Sequence, residues 1–138
     1  MSRYGTAAAR EGADVVRDRI RVQPRVGLIL GSGLGGIAEA IERAERIPYR
    51  EIPGFPSSTV VGHAGELVAG TLGGMPVAAL SGRFHIYEGH DARLAGFPVR
   101  VLHALGVGTL IVSNAAGSVR ADLAPGTIMV IRDQVNFM

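Results

Sequence analysis

An apolar run turns into a cluster of glycines at Val26-Gly27-Leu28-Ile29-Leu30-Gly31-Ser32-Gly33-Leu34-Gly35-Gly36. The first five residues are typical of a short buried strand. After the glycines, apolar residues recur at helical spacing, at Ile37, Ala38, Ala40 and Ile41. The amides at the start of a helix are unpaired and carry the positive end of its dipole. The order strand, glycine loop, helix therefore makes this loop a candidate anion site, to which the Ser32 hydroxyl adds a donor.

The same loop also matches the dinucleotide-binding fingerprint G-x-G-x-x-G. That fingerprint requires an acidic residue about 20 positions further on, at the end of a second parallel strand. Glu51 has the right spacing, but it lies between Pro48 and Pro53, and residues 45–50 make a poor buried parallel strand. A dinucleotide site and a plain turn without a ligand stay as alternatives to the anion site.

A second informative stretch is polar and reads Gly82-Arg83-Phe84-His85-Ile86-Tyr87-Glu88-Gly89. In an extended backbone the side chains alternate, so Arg83, His85 and Tyr87 would share one face. Phe84 and Ile86 would then point into the protein. A guanidinium, an imidazole and a phenol on one face can hold an oxyanion beside a hydroxylated group, and the planar fork of arginine suits phosphate. The alternative is a polar edge strand with solvated side chains.

A third stretch reads Thr109-Leu110-Ile111-Val112-Ser113-Asn114-Ala115-Ala116-Gly117-Ser118. It has the sequence of a buried strand that breaks into a turn of small residues. Small side chains leave backbone amides open to a ligand, as in anion-binding nests. A plain transition from strand to loop is the alternative.

The remaining elements follow from local signals. Gly73-Gly74 predicts a hairpin, and Pro98 predicts a helix that starts near Gly96, because proline is tolerated in the first turn. The predicted elements are a helix from about Thr6 to Arg21 with Ala8, Val15, Val16 and Ile20 on one side, a mobile surface loop from Arg50 to Gly65, strands Glu66 to Leu72 and Met75 to Ser81, a helix that ends at Gly106, and a last strand Thr127 to Ile131.

Composition excludes several classes of function. The 138 residues are 47% hydrophobic, with 20 glycines, which fits an α/β protein with many tight turns. All 14 basic residues are arginines scattered among 12 acidic residues, so no nucleic-acid surface is expected. With no cysteine, no signal-like segment and no long apolar run, we expect a cytoplasmic protein without disulfides or a membrane span. The four histidines show no metal-ligand spacing.

Six motifs follow one another between Val26 and the last residue: Leu30-Gly31-Ser32-Gly33-Leu34-Gly35, Pro53-Gly54-Phe55-Pro56 with Gly62-His63-Ala64-Gly65, Gly82-Arg83-Phe84-His85-Ile86-Tyr87-Glu88-Gly89, Phe97-Pro98-Val99-Arg100, Ser113-Asn114-Ala115-Ala116-Gly117 and Ile131-Arg132-Asp133. With these motifs the chain resembles the trimeric class of purine nucleoside phosphorylases. The Arg-Phe-His-x-Tyr-Glu-Gly run is similar to that branch rather than to the methylthioadenosine phosphorylases of the same fold.

The resemblance implies a mixed, twisted β-sheet flanked by helices and covers only the N-terminal half of the family's sequence. Residues 1–138 would then form a single incomplete domain, the phosphate-binding half, with residues 1–24 as its N-terminal helical segment. Such a half would expose a sheet edge and apolar faces. We therefore expect the isolated chain to aggregate or to stay partly unfolded.

The resemblance also implies an activity, the phosphorolysis of the N-glycosidic bond of purine ribonucleosides and deoxyribonucleosides, which gives a free base and a pentose 1-phosphate. Inorganic phosphate would be a co-substrate, with no cofactor and no metal, and the intact protein would be a homotrimer.

Matching positions nominate Ser32, His63, Arg83, Phe84, His85 and Ala115 for phosphate and Tyr87 for the ribose hydroxyls, and no residue of this half is assigned a catalytic role. The alternatives are a non-catalytic half-domain that binds phosphate or pairs with a full-length subunit, and a nicotinamide-nucleotide-binding fragment.

Overall fold

A computed structural model describes residues 3–31, 33–56, 65–84, 86 and 89–135. These residues form the helices α1 (Thr6–Arg17), α2 (Gly35–Glu39) and α3 (Ala92–Leu105), a 3-10 turn (Tyr49–Glu51), and the strands β1 (Val26–Leu30), β2 (Glu42–Pro48), β3 (Glu66–Leu72), β4 (Met75–Ser81) and β5 (Thr109–Val112). The strands make one sheet in the order β2-β3-β4-β1-β5. The β2-β3-β4 part is antiparallel and the β4-β1-β5 part is parallel, so the predicted mixed sheet is confirmed.

The sheet separates two hydrophobic clusters. Successive residues of β3 point to opposite faces, as the pleat requires: Leu67 and Ala69 face α1 and α3, whereas Val68 faces α2. The larger cluster contains Phe97 and Leu102 of α3, both almost completely buried. Helices thus cover both faces of the sheet.

The first helix ends at Arg17 rather than at Arg21, and its buried face matches the predicted one only in part. The buried residues are Ala9, Gly12, Ala13 and Val16. Their small side chains allow a close approach, since a Cβ atom at Gly12 would lie 3.3 Å from the Val101 side chain of α3. Of the predicted residues, Val16 is buried, and Ala8 and Ile20 pack partly buried against the same cluster; the small residues Ala9, Gly12 and Ala13 were missed.

The third helix begins at Ala92, so the prediction of a start near Gly96 was wrong. The Asp91 carboxylate accepts a hydrogen bond from the Arg93 amide at 2.8 Å, which caps the helix one turn earlier. Pro98 lies inside the helix and is buried, so the cap and the apolar face outweigh one missing backbone hydrogen bond. The end at Gly106 is as predicted.

The segment after the glycine loop does not form the unit that binds dinucleotides. The helix α2 is only five residues long, and β2 lies at the sheet edge, antiparallel to β3 and not adjacent to β1. A dinucleotide fold needs a parallel second strand beside the first. The topology therefore contradicts the alternative of a dinucleotide site.

Three predictions about loops and edges were also wrong. The described part of the Arg50–Gly65 loop is not wholly exposed, because Ile52 and Phe55 are buried; residues 57–64 lie outside the described residues. Every residue of β5 is exposed, and among the described strands β5 pairs only with β1 at the edge of the sheet. Residues 127–131 form no strand and are exposed.

No helix in the described ranges is long and apolar enough to cross a membrane.

The exposed edge predicts self-association that a charge would suppress. Ile111 on β5 is 52% exposed, and an apolar edge strand offers unpaired backbone groups to another chain. We expect Ile111→Lys to lower the aggregation rate of the purified chain, measured by light scattering at neutral pH. Met75→Lys places the same charge on an exposed residue of an interior strand and should have a smaller effect; an equal effect would mean that net charge alone controls aggregation.

Candidate functional site

Three chain segments meet at the carboxyl ends of the parallel strands. Leu30 of β1 is in register with Ser81 of β4, and Ile29 is in register with Val112 of β5. The glycine loop, the Gly82 segment and the Ser113 segment therefore leave the sheet side by side. In open α/β sheets, ligands bind at the carboxyl ends of the strands. The fold thus brings together the three stretches that the sequence singled out.

Ser113 joins the third segment to the first. Its hydroxyl donates a hydrogen bond to the Ile29 carbonyl at 3.1 Å and accepts one from the Gly31 amide at 3.3 Å. The Ser113 amide donates to the same Ile29 carbonyl at 3.1 Å. The role of Ser113 in this junction was not predicted, although a hydroxyl at the end of a strand is a usable signal for such a contact.

Gly31 is required by the close approach of these two segments. A Cβ atom at position 31 would lie 2.6 Å from the Ser113 carbonyl oxygen and 2.9 Å from the Cα of Asn114. Both of these are backbone atoms and cannot move aside as a flexible side chain could. The first glycine of the loop thus serves backbone packing at this edge.

Arg83 joins the second segment to the third. Its side chain is half-buried, and its Nη1 donates a hydrogen bond to the Ser113 carbonyl at 3.3 Å. This contact uses one N–H of a guanidinium that carries five in a rigid fork. A positive charge therefore lies where the three segments converge.

The backbone before Arg83 is fixed by a buried tyrosine. Gly82 has a φ angle of +115°, a conformation that suits glycine, and its carbonyl accepts a hydrogen bond from the Tyr49 hydroxyl at 2.8 Å. Burial raises the pKa of Tyr49 above its ordinary value, and the negative charge of Glu66 raises it further. The phenol stays neutral and remains a donor to Gly82 at physiological pH.

Phe84 packs its ring into an aromatic cluster. The ring centroid lies 5.2 Å from that of Tyr49, 5.7 Å from that of Phe55 and 6.0 Å from that of His90. Ile86 is 45% exposed, so the prediction that it points inward was wrong. The strand β4 ends at Ser81, and the alternation of an extended chain does not continue beyond it.

The structure describes only some of the other predicted site residues. Ala115 is exposed, and its carbonyl accepts a hydrogen bond from the Asn114 side chain at 3.2 Å. Four of the predicted site residues lie outside the described residues: Ser32, His63, His85 and Tyr87. Their binding roles, and those of Phe84 and Ala115, stay predictions.

Comparison with known proteins identifies the family. The family model of the phosphorylase superfamily matches residues 25–138, which contain all three converging segments. The chain belongs to the phosphorylase superfamily. The superfamily match begins just before β1, so that it includes the whole sheet.

Individual superfamily members are similar across most of this chain. Purine nucleoside phosphorylase 1 of Geobacillus stearothermophilus is 51% identical over 131 residues, which are 95% of this chain and 48% of the relative. A Schistosoma mansoni purine nucleoside phosphorylase, isoform 2, solved with cytosine and ribose-1-phosphate, matches with a TM-score of 0.81 and 41% identity over 88% of this chain and 43% of that structure.

A second Schistosoma mansoni structure, solved with inosine, matches with a TM-score of 0.80 and 38% identity over 89% of this chain and 43% of its own. The chain thus spans about half the length of the curated relatives it matches.

The close contact at Gly31 predicts a destabilising substitution. Gly31→Ala forces the Ser113 backbone away, and overpacking of this kind costs about 1–3 kcal/mol. We expect a correspondingly lower free energy of unfolding in urea. Gly96→Ala is the matched control, because a Cβ atom at this exposed position of α3 meets nothing within 4 Å; it should stabilise the chain by about 0.5–1 kcal/mol. Equal effects of the two substitutions would contradict the contact.

The raised pKa of Tyr49 predicts a loss of stability in alkali. A buried phenol whose pKa is raised on folding contributes stability that is complete below its unfolded pKa of about 10 and is lost as pH rises above that value. We expect the free energy of unfolding to fall more steeply above pH 10 in the unsubstituted chain than in Tyr49→Phe. Urea titrations at several pH values measure the difference, and parallel curves would refute the prediction.

Proposed function

We propose that this chain is the phosphate-binding part of a purine nucleoside phosphorylase. The proposal rests on one observation, the convergence of Gly31, Arg83 and Ser113 at the carboxyl ends of three adjacent parallel strands, with the Arg83 guanidinium bonded to the Ser113 carbonyl. Residues 1–138 would belong to a single domain of that enzyme.

The reaction needs position and charge more than chemical participation by the protein. The C1′–N bond of the nucleoside breaks with its electron pair on the purine, and a phosphate oxygen forms the new bond to C1′. The sugar passes through an oxocarbenium-like transition state, as in glycoside cleavage. A protein accelerates such a step by holding the phosphate close beneath C1′ and by stabilising the charge that develops.

Arg83 is the residue of this chain best suited to hold the phosphate. A guanidinium presents parallel N–H donors to two oxygens of an oxyanion, and the Ser113 contact fixes its Nη1 at the convergence of the segments. We propose that Ser32, His63, His85 and the Ala115 amide complete the phosphate site, that Phe84 contributes through the backbone of the Arg83 segment, and that Tyr87 contacts the ribose.

The relatives support the choice of substrates. Schistosoma mansoni purine nucleoside phosphorylases were solved with ribose-1-phosphate and with inosine, which are a product and a substrate of the proposed reaction. We propose that the whole protein acts on free purine nucleosides in the cytoplasm as a homotrimer, with inorganic phosphate as co-substrate and no cofactor.

The experiment is the phosphate-dependent release of hypoxanthine from inosine. We expect Arg83→Ala to raise the phosphate KM roughly 10- to 100-fold, because a hydrogen bond to a charged group contributes about 1.5–3 kcal/mol. Arg100→Ala removes an exposed arginine of α3 and is the matched control. Release that does not depend on phosphate, or that is equally impaired in both variants, would contradict the proposal.

Phosphate binding is measured on the same proteins by thermal stabilisation with increasing phosphate. Stabilisation that disappears in Arg83→Ala, without release of hypoxanthine, would favour the alternative of a half-domain that binds phosphate but does not catalyse.

A further inference from the structure

We infer that Tyr49 is a positioning residue that fixes Arg83 through the hydrogen bond from its hydroxyl to the Gly82 carbonyl. The inference deepens the proposed function and rests on it, because the consequence for phosphate depends on Arg83 as the phosphate ligand. Tyr49 lies 34 positions before Arg83 in the chain, on the turn that follows the edge strand β2.

The geometry of the peptide unit explains how Tyr49 acts on Arg83. The Gly82 carbonyl and the Arg83 nitrogen belong to the same planar unit. A donor that holds this carbonyl therefore also sets the plane from which the Arg83 backbone continues. The Tyr49 hydroxyl holds the carbonyl at 2.8 Å, and the Ser113 carbonyl holds the far end of the Arg83 side chain at 3.3 Å. Arg83 is thus fixed at both ends.

Tyr49 itself is held rigidly. Its side chain is 2% exposed, and its ring lies 5.2 Å from the ring of Phe55 and 5.2 Å from that of Phe84. Its backbone amide donates to the Gly65 carbonyl at 2.8 Å, which extends the pairing of β2 with β3 by one residue. The hydroxyl is therefore presented from the hydrophobic core at a fixed position.

The Tyr49 hydroxyl is not needed for the packing of the ring. A phenylalanine would fill the same space among the aromatic rings without placing a polar group in the core. A buried hydroxyl is costly unless it is hydrogen-bonded, and the bond of Tyr49 goes to the peptide before Arg83. The Tyr49 hydroxyl therefore holds the backbone at Gly82 and Arg83 rather than contributing to core packing.

The test compares Tyr49→Phe with Tyr4→Phe in the full chain. The control also removes a phenol hydroxyl from an aromatic contact, since the Tyr4 ring lies 5.4 Å from that of Phe97. Loss of one hydrogen bond corresponds to a change of about three- to ten-fold. We expect Tyr49→Phe to raise the phosphate KM for hypoxanthine release by that factor, with a smaller change in kcat, and Tyr4→Phe to change neither.

Hydrogen exchange gives a readout that does not depend on activity. Measured by mass spectrometry, exchange in the peptides that span Gly82 to Phe84 should be faster in Tyr49→Phe than in the unsubstituted chain or in Tyr4→Phe, while α3 stays unchanged. Unchanged exchange at Gly82 to Phe84 would overturn the inference, and so would faster exchange throughout the chain, which indicates general destabilisation.

Failure of the proposed function and failure of the inference about Tyr49 give different results. If the unsubstituted chain neither binds phosphate nor releases hypoxanthine, the proposed function fails, and the local exchange result still decides whether Tyr49 holds the Arg83 turn. If the unsubstituted chain is active and Tyr49→Phe keeps its phosphate KM, the inference fails while the proposed function stands.

Discussion

The parallel pairing of β1 with β4 on one side and β5 on the other is the constraint on which the candidate site depends. Because side chains alternate along a strand, a slip of one residue would move every side chain of β1 to the opposite face. The same slip would separate Gly31 from Ser113, whose backbones approach closely only in the observed register. One register therefore satisfies both the core and the site, and packing of the core fixes the geometry of the site.

The hydrogen bonds at the site are individually modest. Each contributes about 0.5–1.5 kcal/mol net, so no single bond imposes the arrangement. Their effect depends on how firmly the donors are held: Tyr49 is anchored in the core, and Ser113 is bonded to Ile29 of the interior strand β1. By contrast, the pairs of Arg46 with Glu66 and Glu39 lie on the surface near the sheet edge, where ion pairs contribute about 0–1 kcal/mol. The site depends on anchored donors more than on surface charge.

Local signals predicted part of this fold, and nonlocal contacts account for the rest. Strand β1 and the hairpin of β3 and β4 were predicted at their observed bounds, because apolar runs and Gly73-Gly74 act locally. The start of α3 was missed because the Asp91 cap competes with Pro98, and propensity does not decide that competition. The meeting of the three segments was expected only through family resemblance. The role of Tyr49 could not be predicted, since its contact with Gly82 spans 33 positions and leaves no local pattern.

The apolar segment at residues 127–131 shows why a strand-like sequence is not sufficient to form a strand. Residues 127–131 resemble β1 in composition, yet they form no strand, whereas β1 pairs on both sides. Strand preference is mainly a preference for packing against neighbours, and no described residue provides that neighbour here. Ser113 follows directly on β5, an edge strand held only by β1 among the described strands. The Ser113 carbonyl, which accepts the hydrogen bond from Arg83, is therefore positioned through β1 among the described strands, and a partner that covers β5 would add support to it.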